Sequence, residues 1–76
     1  MDLIRLSELS ARDKGTLARI DATDGMLALM EMGCIVGEDI EVCHVAPLGD
    51  PVAVAAGGHV VALRREQAEQ MWVKPH

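Results

Sequence analysis

The sequence has 76 residues, of which 50% are hydrophobic and 25% charged, a composition typical of one small globular domain. Its net charge of −5 argues against nucleic-acid binding, because phosphate backbones attract basic surfaces. With one Trp and no Phe or Tyr, it lacks the several aromatic rings that base-stacking modules and proline-rich peptide receptors need. No stretch approaches the roughly 20 apolar residues of a membrane span, no signal peptide is evident, and two cysteines do not make a disulfide framework. We therefore expect a single cytoplasmic domain over residues 1–76, with reduced thiols and no insertion into a membrane.

Glycine and proline recur every few residues and divide the chain into short elements, a spacing typical of small β-barrels. Leu17 and Ile20 are three residues apart, so a strand there needs a bulge if both side chains face the core. Gly57 and Gly58 predict a tight hairpin turn, because such turns require positive φ at both residues. The predicted strands, in chain order, cover residues 3–6, 16–20, 41–45, 52–56, 59–63 and 71–73.

A helix is predicted between the second and third strands. Thr23 or Asp24 is the expected N-cap, and the helix runs to Met32. Gly33 suits the left-handed position that ends a helix, after which Cys34 would pack back on Leu29. A short helical segment over residues 64–70 precedes the last strand, which would close the barrel. The expected fold is therefore all-β with short helices: an SH3-like barrel of five to six strands with one inserted helix.

The inserted helix is more apolar than one buried face requires. Met26, Leu29 and Met30 share the spacing of a core-facing stripe, whereas Leu27 and Ala28 lie off it. A helix on a small barrel cannot bury its whole circumference, and exposed apolar surface usually marks a contact site. We therefore predict that Leu27 and Met30 contact a partner. The alternative is that neighbouring loops cover the far side of the helix.

The segment from Pro47 to Pro51 predicts a rigid turn, since both prolines have a fixed φ and lack an N–H donor. Leu48 lies at its tip and is the expected anchor for a partner. Pro47 and Asp50 complete the predicted contact residues of this turn.

No set of residues indicates catalysis or a built-in metal site. The serines Ser7 and Ser10 lie near the N-terminus, outside any nucleophile motif. Adjacent strand residues Cys43 and His44 are expected to point to opposite faces. The acidic cluster of residues 38, 39 and 41 either attracts cations weakly or is a solvated loop. We therefore predict no enzymatic activity, no cofactor and no dedicated metal ligands.

Several motifs, in this order, resemble those of the ferrous iron transport protein A family. They are Leu-Ser-Glu-Leu at residues 6–9, Leu-Met-Glu-Met-Gly at 29–33, Ala-Pro-Leu-Gly-Asp-Pro-Val at 46–52 and Ala-Leu-Arg-Arg-Glu-Gln-Ala at 62–68. The resemblance implies a cytoplasmic SH3-like domain that regulates ferrous iron uptake. It also implies a partner, the membrane transport protein B, which carries an intracellular GTP-binding domain. Many relatives carry arginines around positions 27 and 28, where this chain has Leu27 and Ala28.

Two other roles remain open from the sequence. The same fold occurs as the C-terminal domain of iron-dependent repressors, which implies a metal-sensing module whose carriers would be the acidic cluster, His44 or His59. The apolar helix surface could instead join two copies in a homodimer.

Overall fold

Short strands form the framework of the fold, as the spacing of glycine and proline predicts. The structure, a computed structural model, describes residues 2–21 and 25–76. Two helices, α1 and α2, and two single 3-10 turns, at Leu6–Glu8 and Pro47–Gly49, connect six strands. The strands are β1 (Ile4–Arg5), β2 (Lys14–Ile20), β3 (Asp39–Val45), β4 (Val52–Ala56), β5 (His59–Leu63) and β6 (Met71–Pro75), and the helices are α1 (Met26–Glu31) and α2 (Arg65–Ala68).

All six strands form one antiparallel sheet in the order β1-β6-β2-β3-β4-β5. The predicted strand number and the position of α1 between β2 and β3 are confirmed. The predicted closure of the barrel by the last strand is not confirmed, because β6 lies inside the sheet, between β1 and β2. Within the described ranges no strand pair joins β1 to β5, since β1 has only two residues and both pair with β6. The two ends of the sheet are therefore β1 and β5.

The bulge predicted in β2 is confirmed. The register of β2 with β6 shifts between Leu17 and Arg19, so that Ala18 is the extra residue. This shift lets Leu17 and Ile20 both point into the core. The core is entirely apolar among the described residues and comprises Leu6, Leu17, Ile20, Leu29, Cys34, Ile40, Val42, Val52, Val54, Ala56, Leu63, Ala68, Met71 and Val73.

Helix α1 ends as the sequence predicts. Gly33 has φ +103°, and its N–H donates to the carbonyl of Met30 at 3.0 Å. The N–H of Cys34 donates to the carbonyl of Leu29 at 2.9 Å, and both side chains are buried. The predicted N-caps Thr23 and Asp24 lie outside the described residues.

Two polar residues near the ends of the chain have defined positions. Ser7 lies inside the first 3-10 turn, which has no side-chain cap. The His76 N–H donates to the Lys14 carbonyl at 3.1 Å and so continues the pairing of β6, and the His76 ring Nε2 lies 2.9 Å from Thr16 Oγ1. The strand pairing of β6 with β2 carries the backbone to this position, which the isolated tail sequence does not show.

The tryptophan Trp72 links three neighbouring elements on the outer face of the sheet. The guanidinium groups of Arg5 and Arg19 lie over its ring, 4.8 and 5.0 Å from the ring centroid. The Trp72 Nε1–H donates to Asp21 Oδ2 at 2.7 Å, and Arg19 Nε donates to Asp21 Oδ1 at 2.9 Å. The hydrogen bond from Trp72 has the largest effect, and together with the positive charge of Arg19 it holds the pKa of Asp21 below its ordinary value, against the opposing effect of desolvation.

This array predicts a pH dependence. Because the pKa of Asp21 is lowered in the folded state, the stability it contributes is present above its unfolded pKa of 3.8 and is lost as pH falls through the lower folded value. Trp72 is the one tryptophan of the sequence, so its fluorescence reports on this carboxylate. We expect an acid transition in Trp72 fluorescence below about pH 4, and we expect Asp21→Asn to abolish it. The exposed Asp2→Asn serves as the control, and an acid transition that persists in Asp21→Asn would refute the assignment.

Candidate partner-binding surfaces

Helix α1 buries one side chain fully. Leu29 lies in the core, whereas Met26, Leu27 and Met30 are 36%, 68% and 45% exposed. The prediction that Met26 and Met30 share the core-facing stripe is therefore wrong. A helix of six residues has fewer than two turns, so only one position lies at the centre of its contact with the sheet. The expectation of exposed apolar surface on α1 is correct.

An apolar groove lies between α1 and β2. Its volume is about 380 Å³, and Arg19 is the charged residue among those that line it. The lining residues are Ala18, Arg19, Ile20, Met26, Met30, Ile35 and Val36. We call Met26, Leu27, Met30, Ile35 and Val36, which are all exposed, the helix surface. Unbranched, polarisable methionines suit such a contact surface because they adapt to the shape of a partner.

The turn from Pro47 to Pro51 presents Leu48, as predicted. The Leu48 side chain is 94% exposed, so it contributes almost nothing to the core. Its φ is +68°, in the left-handed region that costs a residue with a Cβ roughly 1–2 kcal/mol. Hydrogen bonds from Gly49 N–H to the Ala46 carbonyl, at 2.9 Å, and from Ala46 N–H to the Pro51 carbonyl, at 3.0 Å, hold the turn. We call Pro47, Leu48 and Gly49 the turn surface.

Asp50 has a structural role that the sequence did not reveal. Its Oδ1 accepts the Arg65 N–H at 3.3 Å, and its Oδ2 lies 3.7 Å from an Arg64 guanidinium nitrogen. The carboxylate thus ties the turn to the start of α2, where a negative charge is favourable. The contact of Asp50 with a partner stays a prediction, since its carboxylate makes these two contacts and the residue is exposed. Arg65 also forms an ion pair with Glu69, with 3.6 Å between Arg65 Nε and Glu69 Oε2.

The predicted contact residues do not form one patch. The C-terminal end of α1 lies against the β4–β5 turn: a Cβ placed on Gly33 would be 3.2 Å from the Ala56 carbonyl oxygen. The turn surface lies at the opposite end of β4, before Val52. The five residues of β4 span about 13 Å. Leu27 and Met30 are therefore separated from Pro47 and Leu48 by the length of a strand.

The cysteine and histidine of β3 lie at a second bulge. The register with β4 shifts between Val42 and His44, so Cys43 is the extra residue, and both Cys43 and His44 are exposed. The strict alternation that predicted opposite faces does not hold there. No group of three or more His, Cys, Asp or Glu residues in the described part of the chain is arranged to hold a metal ion.

Asp39 has intramolecular partners, and Cys34 is buried. Asp39, from the acidic cluster, accepts a hydrogen bond from Thr16 Oγ1 at 3.1 Å and lies 3.6 Å from the His76 ring. Burial raises the pKa of the Cys34 thiol, consistent with its predicted role as a small core residue. Across residues 2–21 and 25–76, no helix has the length and apolarity needed to cross a bilayer.

Comparison with known proteins identifies the family. The FeoA domain model matches residues 4–75. A Porphyromonas gingivalis protein described as a fusion of Fe(2+) transport protein A and Fe(2+) transporter FeoB is 36% identical over 72 residues, which cover 93% of this chain and 8% of the fusion protein. This chain therefore corresponds to a small part of that relative.

Solved structures agree on the fold. The crystal structure of an iron uptake regulatory protein (FeoA) superposes with a TM-score of 0.88 over the whole of both chains, at 28% identity. The zinc complex of Stenotrophomonas maltophilia FeoA, described as an SH3 domain protein, superposes with a TM-score of 0.78 over 93% of this chain and 89% of that one, also at 28% identity. The predicted SH3-like fold is confirmed, and with the family model matching nearly its full length, the chain belongs to the FeoA domain family.

Proposed function

We propose that this protein is a cytoplasmic accessory protein of ferrous iron uptake that binds the membrane ferrous iron transporter FeoB. The observation that carries the proposal is the Porphyromonas gingivalis relative, in which the two proteins are one polypeptide. A covalent link keeps two domains at high effective concentration without strong binding. Wherever the two domains lie on separate chains, the same association requires a contact surface.

The helix surface has the chemistry that such a contact requires. It groups five exposed apolar side chains, and the groove beside it is lined by apolar residues except for Arg19. Apolar side chains clustered on the surface of a small domain usually mark a protein contact. A partner that inserts an apolar side chain into the groove removes this area from water, which is the main favourable contribution to most protein associations.

The turn surface supplies a second point of contact. Leu48 is held in a left-handed conformation by its neighbours although it adds nothing to the core. Because the turn already fixes the backbone of Leu48, binding of this exposed apolar side chain costs little backbone entropy. The proposed role is therefore that of a binding protein with two apolar contacts, and it requires no catalytic residues.

The first experiment titrates the protein against the purified full-length transporter of the same organism, and separately against its soluble GTP-binding domain, with and without GTP. We expect saturable binding to the full-length transporter. The comparison with the soluble domain shows whether the contact lies on the GTP-binding part. Absence of binding to the full-length transporter in both nucleotide states would refute the proposed function.

Leu27→Glu tests the helix surface. We expect the affinity for the transporter to fall at least about tenfold, because a charge enters the apolar contact. The free energy of unfolding should change by no more than about 0.5 kcal/mol, because the side chain is largely exposed. Calorimetric titration and urea denaturation measure the two effects. Val60→Glu, at an equally exposed valine of β5, is the matched control and should leave transporter binding unchanged; loss of stability in Leu27→Glu would show that the residue belongs to the core.

Leu48→Asn tests the turn surface and separates binding from folding. Asn tolerates the left-handed conformation better than Leu, so we expect the variant to be more stable by up to about 1 kcal/mol. We expect its affinity for the transporter to fall. Leu48→Ala is the control: it also removes the anchor but keeps a poorly tolerated φ, so it should weaken binding without the gain in stability. Unchanged affinity in both variants would remove the turn from the contact.

A further inference from the structure

The β4–β5 hairpin is the uncharged part of an acidic molecule. Residues 52–63 contain no Asp, Glu, Lys or Arg, although 25% of the sequence is charged and the net charge is −5. The outer face of the hairpin consists of small apolar side chains, because Ala53 lies opposite Ala62 and Ala55 lies opposite Val60. Val60 is 66% exposed. No Asp, Glu, Lys or Arg side chain on this hairpin hinders the approach of another backbone.

The strand β5 is also one of the two edges of the sheet. Ala56 and His59 flank the two-residue Gly-Gly turn and form a hydrogen-bonded pair of the ladder. Because hydrogen-bonded and non-hydrogen-bonded pairs alternate, Val60 and Ala62 direct their N–H and C=O groups away from β4. The backbone hydrogen bonds of the described turns, loops and caps include none from these two residues.

The open edge is short and sharply bounded. At one end the chain enters the Gly57-Gly58 turn, where both residues have positive φ. At the other end, the Arg64 N–H already donates to Gln67 Oε1 at 2.8 Å, as part of the start of α2. The free groups are therefore those of Val60 and Ala62 alone.

This edge lacks the features that usually protect an edge strand. Lysine, proline, a bulge or an inward-pointing charge normally prevents one edge from pairing with another. The register of β5 with β4 is uninterrupted from His59 to Leu63, and none of these five residues is charged or a proline. The opposite edge, β1, is only two residues long and leads directly into a 3-10 turn.

We propose that β5 pairs antiparallel with β5 of a second copy, with Val61 opposite its own counterpart on the two-fold axis. Val60 of each copy then lies opposite Ala62 of the other, and the outward N–H and C=O groups of these residues form roughly four hydrogen bonds. The free groups are symmetric about Val61, so the edge is complementary to itself, as a two-fold interface requires. Two six-stranded sheets thereby join into one.

The self-complementary edge favours a second copy as the occupant, and charge places the contact at the hairpins. Two molecules that each carry a charge of −5 repel one another, and the repulsion is least where their uncharged hairpins meet. In the proposed register His59 lies opposite Leu63, so no like charges are opposed. A contact of two short strands buries less area than a stable dimer needs, so the dimer is weak and dependent on concentration.

The proposal does not rest on binding to the transporter, because the helix and turn surfaces lie outside β5. It also differs from a homodimer built on the apolar helix. A dimer formed through β5 should be weakened by Ala62→Lys and not by Leu27→Glu, whereas a dimer formed through the helix should show the opposite. The two kinds of dimer can therefore be distinguished.

The test follows the wild-type protein by sedimentation equilibrium over about a hundredfold range of concentration, under reducing conditions that keep the exposed Cys43 from forming a disulfide. Amide hydrogen exchange is recorded by NMR at both ends of the range. We expect a monomer–dimer equilibrium, and slower exchange at Val60 and Ala62 at high concentration.

Substitutions then locate the interface. Ala62→Lys and Val60→Glu, both at exposed positions, should raise the dimer dissociation constant at least about tenfold. Leu27→Glu should leave it unchanged. A protein that is monomeric over the whole range, a dimer that survives Ala62→Lys or is broken by Leu27→Glu, or exchange at Val60 and Ala62 that does not depend on concentration would each overturn the proposal. The exchange measurement uses the wild type, so it decides the question even if a variant fails to fold.

Discussion

The close approach of two glycines determines where the inserted helix lies. A Cβ on Gly33 would be 3.2 Å from the Ala56 carbonyl oxygen, and a Cβ on Gly57 would be 3.2 Å from the Gly33 carbonyl oxygen. Both residues also have positive φ, which side chains with a Cβ disfavour. The end of α1 can therefore lie directly against the β4–β5 turn. This position places Leu29 in the core and leaves Met26 and Met30 beside β2, where they line the groove.

Rules that act between near neighbours in the sequence were sufficient to predict the β4–β5 hairpin and the end of helix α1. The bounds of β4 and β5, the Gly-Gly turn and the bulge that buries both Leu17 and Ile20 follow from alternation and turn chemistry, which act between near neighbours. The burial of α1 could not be predicted in the same way. Helical periodicity shows which residues share a face, but it does not show how much of that face the sheet covers. Met26 and Met30 therefore share the spacing of Leu29 and yet remain exposed.

Contacts between distant residues account for the other differences. Asp50 lies in a turn that the sequence reveals, but its carboxylate contacts residues fourteen and fifteen positions later. Trp72 meets Asp21 across fifty-one positions because the order of the strands places β6 next to β2. These partners depend on which strands are neighbours, and the sequence of one strand does not contain that information. The bulge at Cys43 and His44 could not be predicted from the sequence of β3 for the same reason, since it is defined by the register with β4.

The outer face of the inserted helix can vary in sequence without a change in the fold. Leu27 and Ala28 are exposed, so arginines at these positions are compatible with the same fold. Leu29 and Gly33 are constrained by the core and by the contact with the hairpin. The fold therefore fixes where the helix is presented but not the chemistry of its outer face. Arginines there suit an acidic partner surface, whereas leucine and alanine suit an apolar one, so the partner of this chain should offer an apolar contact at the helix.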